Sequence, residues 1–218
     1  MPVFAPSTII SSNVTLTFLQ TANSVTGASS YTFTAQNTGT AATDRVIIVG
    51  VAAAQGTVGL PTSVTVAGLT ATVLKTQAGT NSFVSLYSVS VPTGTTGDVV
   101  VTLSAAAVRC EISLWRSVGN MGIQAYGSAS TTTSGGNMLV PVPSGGEVIG
   151  MAYNINASNQ TFTWVGVTKD FDINVGTTPN IDTVSGARVL SATDQILTCT
   201  ATPSLAASSY CACVASIS

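Results

Sequence analysis

Tyr31-Thr-Phe-Thr-Ala35 is the stretch on which the reading of this chain turns. Apolar and polar side chains alternate there with a period of two, which puts the rings on one face of an extended strand and the threonines on the other. Val14-Thr-Leu-Thr-Phe18 carries the same alternation upstream. Val46-Ile-Ile-Val49, downstream, is continuously apolar and predicts a strand buried on both faces. Further runs follow at Ser63–Val66, Ala71–Leu74, Phe83–Val91 and Val99–Leu103. The second half adds Cys110–Trp115, Met138–Val140, Glu147–Tyr153, Thr161–Trp164, Arg188–Leu190, Gln195–Cys199 and Tyr210–Val214. Clusters of Gly, Pro, Asn and Ser separate them, as turn chemistry requires. No window holds the i, i+3, i+4, i+7 pattern of an amphipathic helix. The expected fold is therefore all-β, an antiparallel β-sandwich or jelly roll.

Three segments recur in order. Asp44-Arg-Val-Ile-Ile-Val-Gly50 aligns with Gly146-Glu-Val-Ile-Gly150, with Val46 against Val148. Ser63-Val-Thr-Val-Ala-Gly-Leu-Thr70 aligns with Thr161-Phe-Thr-Trp-Val-Gly-Val-Thr168, and Asp98-Val-Val-Val-Thr-Leu103 with Asp194-Gln-Ile-Leu-Thr-Cys199. They suggest a pseudo-repeat of 40–118 in 140–215, two weakly similar half-units each too small to close its own core. Residues 13–218 are expected to form one domain, and residues 1–12 an extended N-terminal arm. The Gly/Ser/Thr-rich stretch Gly127–Asn137 has the composition of a loop between halves.

Composition excludes several kinds of chemistry. The 218 residues include six Lys and Arg, eight Asp and Glu and no His, for a net charge of −2. So few cations build no basic face, which argues against nucleic acid as a partner. Without His there is no Ser-His-Asp triad and no His-ligated zinc. No run reaches the roughly 18 apolar residues of a membrane span, and the N-terminal residues lack the pattern of a signal peptide, so no membrane partner is expected. Only 6% of residues are charged, against roughly 25% in ordinary soluble domains. Such a surface suits a protein packed among copies of itself or in a larger assembly.

The candidate chemical groups are sparse. Asp44 and Asp98 open strands and read as turn acceptors. Lys169-Asp-Phe-Asp172 sets two carboxylates on one strand face, a weak calcium pattern without the dense loop of a strong one. No Gly-x-Ser-x-Gly elbow occurs, and Gly94-Thr-Thr-Gly97 and Ser144-Gly-Gly146 are hairpin turns, not phosphate loops. We expect no catalytic residues, no metal and no cofactor. Among Trp115, Trp164, Tyr87, Tyr126 and Tyr153, Trp164 alternates with Phe162 in a core pattern, and Tyr126, in a Gly/Ser-rich stretch, is the ring most suited to exposure. Cys110, Cys199, Cys211 and Cys213 match no zinc ribbon. A hairpin centred on Leu205 would set Cys199 opposite Cys211. The cysteines are thus read either as buried thiols or as an intrachain bridge with links between neighbouring subunits.

Taken with Pro92-Thr-Gly-Thr-Thr-Gly-Asp-Val-Val-Val-Thr-Leu103 and the repeated segments above, the chain from about Val14 onward resembles small all-β structural proteins of tailed bacteriophages and phage-like particles. The resemblance implies a non-enzymatic virion protein, a capsid decoration or cement protein or a neck-collar or head-fibre component, made in the host cytoplasm. Its partners would be other virion proteins and copies of itself, a trimer being favoured. The apolar Pro2, Val3, Phe4 and Pro6 would serve as a docking arm. The alternative is a carbohydrate-binding module or receptor-binding tip recognising host-surface glycans, with Tyr126 and Trp164 as stacking rings. A glycoside hydrolase would need two carboxyl groups facing across a cleft.

Overall fold

The computed structural model describes residues 14–54, 59–119, 126–130, 135–177, 180–206 and 209–217. These are strands and connections, with no helix among the described residues. In the first half the strands are β1 (Thr15–Ser24), β2 (Ala28–Asn37), β3 (Val46–Ala54), β4 (Pro61–Val66), β5 (Leu69–Thr70), β6 (Thr72–Ala78), β7 (Ser82–Ser90), β8 (Thr96–Ala107) and β9 (Arg109–Val118). The second half contributes β10 (Tyr126–Ser130), β11 (Met138–Val142), β12 (Glu147–Asn156), β13 (Phe162–Val165), β14 (Thr168–Thr177), β15 (Asn180–Leu190), β16 (Gln195–Pro203) and β17 (Ser209–Ile217). The opening alternation is realised in β2, where Tyr31 and Phe33 are buried while Thr32 and Thr34 face out.

The strands form four antiparallel sheets. Sheet I has the order β1-β9-β3-β7-β6 and sheet II β2-β8-β4-β5; sheet III has the order β10-β17-β12-β15-β14 and sheet IV β11-β16-β13. One core, with Tyr31, Phe33, Ile47, Val64 and Val101, lies between sheets I and II. Another, with Met138, Val148, Phe162, Cys199 and Val214, lies between sheets III and IV. A third joins sheets I and III through Ile48, Leu86, Trp115, Ile149, Met151 and Tyr153. The molecule is thus two sandwiches back to back, four layers in the order II, I, III, IV, and each half encloses a core of its own.

This layering explains the continuous apolar run. Ile47, Val49, Val51 and Ala53 face the first sandwich, and Val46, Ile48, Ala52 and Ala54 face the seam, so every residue of β3 is buried. Full burial of each Val or Ile contributes roughly 1.5–3 kcal/mol, which makes this strand the anchor of the first half.

The halves share one plan. The sheet orders correspond strand for strand, β1 with β10, β9 with β17, β3 with β12, β7 with β15 and β6 with β14, and in the outer sheets β2 with β11, β8 with β16 and β4 with β13. Ala54 lies between Ser82 and Arg109, and Ile155 between Asp182 and Ser209. Ser82 is therefore equivalent to Asp182 and Arg109 to Ser209. Across the seam Ser82 bonds Ser209 at 3.0 Å and Arg109 bonds Asp182 at 2.8 Å. That reciprocity is the mark of an approximate two-fold relation between the halves. The same pairing sets Val46 against Glu147, one residue away from the sequence alignment. A slip of one would turn every side chain of β12 to the other face, whereas Ile48 and Ile149 both face the seam.

Candidate functional site

Among the described residues, the rings singled out in the sequence do not gather on a surface. Trp115 is wholly buried; its Nε1 donates to Asp170 Oδ2 at 2.8 Å, and its ring packs on Phe18 and Phe171. Tyr153 and Tyr87 are also buried. Trp164 is half-buried and donates through Nε1 to Ser185 Oγ at 2.8 Å, with its ring on Gly150, where a Cβ would come within 2.7 Å. The side chain of Tyr126 and residues Pro2, Val3, Phe4 and Pro6 lie outside the described residues.

The four cysteines are buried free thiols in three separate cores: Cys110 in the first sandwich, Cys199 in the second, and Cys211 and Cys213 in the seam. The expected hairpin between Cys199 and Cys211 does not form, because β16 belongs to sheet IV and β17 to sheet III. Cys211 and Cys213 share a face, but residues two apart on an extended strand are too far apart for ready bridging. Burial pushes the Cys199 and Cys211 thiols up to about 12, and nothing brings any of the four to the surface where a neighbouring subunit could reach it.

Asp44, Asp98 and Asp194 accept not within their own turns but from distant segments, taking the backbone N–H groups of Gly119, Ala35 and Ser144 at 2.8, 2.8 and 2.7 Å. The two carboxylates of the 170–172 segment are not partners for one cation. A bulge between Lys169 and Phe171 interrupts the register. Asp170 is held by Trp115 and Arg188, and Asp172 by Lys169. No group of three or more His, Cys, Asp or Glu suited to a metal occurs among the described residues. Arg45, although wholly buried, is spent on structure: its guanidinium donates to the carbonyls of Val91, Thr38, Gly39 and Thr93 and ties two loops to the start of β3.

What the structure does bring together is a set that the sequence left scattered. Glu111 on β9, Tyr153 on β12 and Asp182 on β15 meet at one end of the seam, with Arg109 against Asp182. Glu111 is fully buried, and among the described residues neither carboxyl oxygen has a hydrogen-bond partner from another residue. Burial, then the neighbouring Asp182, holds its carboxyl well above the usual range, which favours the protonated form. Burial raises Asp182 as well, opposed by Arg109. The phenol of Tyr153 is driven up by burial and by both carboxyls. Gly176, with φ of +100°, makes room for the arginine: a Cβ there would stand 2.6 Å from Arg109 Cζ. The signal in the sequence was a lone acid at an inward position of an apolar strand, Cys110-Glu-Ile-Ser-Leu-Trp115.

This cluster borders a cavity of about 290 Å³ where the inner sheets end. Arg109, Asp182, Asn81 and Asn180 supply its polar wall, and Ala54, Val108 and Ile155 its apolar one. Such a wall can both donate and accept hydrogen bonds, while Glu111 sits one inward position deeper on β9. Comparison with family models, with curated proteins and with solved structures finds no match to this chain.

Proposed function

We propose that the protein is a non-enzymatic structural subunit of a phage-type particle, a decoration, cement, collar or head-fibre component that works by burying its outer faces against neighbours. The observation that carries this reading is the outer face of sheet IV. Leu139, Val165 and Ile196 are 55, 59 and 68% exposed there, beside Pro141, Thr198 and Thr163. Its three strands contain no charged residue. Charged and twisted surfaces keep sheets apart in solution; an aliphatic and threonine face without charge favours contact. Many modest contacts of this kind add up across a particle.

The winding fits the reading. β1 pairs with β9, β2 with β8 and β3 with β7, and likewise β10 with β17, β11 with β16 and β12 with β15. We take these nested pairs, rolled into two facing sheets, as a jelly roll in each half, an architecture common in capsid proteins.

Light scattering on a size-exclusion column tests the assembly. The expected result is a multiple of 21.9 kDa, a trimer being favoured, that Ile196→Lys reduces to a monomer with an unchanged melting temperature. A parent protein that stays monomeric up to about 1 mM, where association is worth only about 4 kcal/mol, overturns self-assembly. Reductant should leave the mass unchanged, since the thiols are buried.

A further inference from the structure

We infer that the cavity at the end of the seam is a binding site for a neutral polyhydroxylated ligand, one sugar ring in size. The argument begins with the two-fold relation of the halves. At one side of the seam stand Ser82, Ser209 and Cys211, a neutral set joined by hydrogen bonds of 3.0 and 3.6 Å. At the equivalent positions on the other side stand Asp182, Arg109 and Glu111. Hydroxyls and a thiol thus satisfy this position of the fold. Buried carboxyls and a guanidinium cost several kcal/mol each to desolvate, and the fold does not require them. Of the two equivalent sets, it is the charged one whose Arg109 and Asp182 line the cavity.

The wall selects the ligand. Asp182 already neutralises Arg109, and Glu111 lies behind them, so a free anion finds no net positive charge. A metal cation would meet the guanidinium and too few oxygen ligands. A hydroxyl group both donates and accepts, and vicinal hydroxyls can bond the carboxylate–guanidinium pair and the carboxamides of Asn81 and Asn180 together. Val108, 53% exposed, and Ile155 offer an apolar surface to the C–H face of a ring. The volume lies at the lower end of ligand cavities, which run from roughly 300 to 1,000 Å³, so it holds one ring better than a chain. The site is remote from Tyr126 and Trp164 in sequence and role, and it does not depend on how the subunit assembles.

The test is saturation-transfer NMR of the full chain with glucose, galactose, mannose and N-acetylglucosamine, each alone, at about 10 mM, enough to detect a Kd near 1 mM. At least one sugar should receive saturation. Val108→Trp, an exposed change that fills the mouth, should abolish the transfer while the melting temperature holds. The pair Asn81→Ala and Asn180→Ala, on the exposed rim, should weaken binding about tenfold, the loss of one or two hydrogen bonds. The proposal is overturned if none of the four sugars receives saturation. It is equally overturned if the signal survives in a folded Val108→Trp protein or, should Val108→Trp fail to fold, if the double alanine variant binds the sugar as tightly as the parent.

Discussion

Arg45 and Glu111 are both charged in water and both wholly buried, yet the protein deals with them in opposite ways. Arg45 keeps its charge because four carbonyl oxygens surround the guanidinium. Glu111 has no such set of partners for its oxygens among the described residues, and its carboxyl is pushed toward the protonated form instead. The groups facing it are Asp182, Arg109 and Tyr153. Because its proton is held more tightly folded than unfolded, the unfolded chain binds fewer protons above about pH 4.3, the ordinary glutamate value. Stability is then greatest at low pH and declines as pH rises toward the folded-state value. Urea midpoints measured from pH 4.5 to 8 should fall with rising pH, and Glu111→Gln, which is neutral throughout, should flatten most of the slope. The smaller remainder belongs to Asp182 and Asp170, whose carboxyls burial also raises. A midpoint that does not fall over this range would show that the fold does not hold the Glu111 proton more tightly than the unfolded chain does.

Among the elements, the repeat is most visible where the strands are irregular. β6 slips register between Val73 and Lys75, β14 between Lys169 and Phe171, and the residues that resume pairing, Lys75 and Phe171, meet the equivalent Leu86 and Gly186. A bulge adds one unpaired residue and turns the strand; in β14 that residue is Asp170, which reaches Trp115. Gly186 completes the arrangement. A Cβ there would stand 2.3 Å from Phe171 Cε1 and 2.8 Å from Trp115 Cζ2. Gly186→Val should therefore cost at least about 1–3 kcal/mol, the usual penalty of overpacking, read from the denaturation midpoint with a shift in tryptophan fluorescence. An unchanged midpoint would mean the Phe18–Trp115–Phe171 packing gives way freely. Alternation made strands such as β2 legible from the sequence, and the unbroken Val46–Val49 run marked β3 as doubly covered. What covers β3 was not legible, because a strand buried on both faces does not say which sheet meets which face. The same gap hid the acid cluster, whose members come from β9, β12 and β15, and it made neighbouring β16 and β17 look like a hairpin when they lie in different sheets.

As a whole, the molecule is held by three cores of one kind, and the middle one is made by parts that the chain joins only through the segment between Gly119 and Tyr126. Trp115, Tyr153, Leu86 and Met151 bury there as fully as any side chain within either sandwich. A protease site placed in that segment should be cut without separating the halves. The cut protein should still elute with the uncut one under native conditions, and should fall into two fragments only in denaturant. Separation in buffer would make the seam a contact between independent domains rather than a core. The two-fold relation has one more consequence. A seam in which Ser82 meets Ser209 on one side and their counterparts meet on the other can be closed equally by halves of two different chains. Intramolecular closure prevails because the covalent link keeps the second half at a high effective concentration. Shortening that link would remove the advantage and convert the same buried contacts into domain exchange, a dimer that needs no new surface.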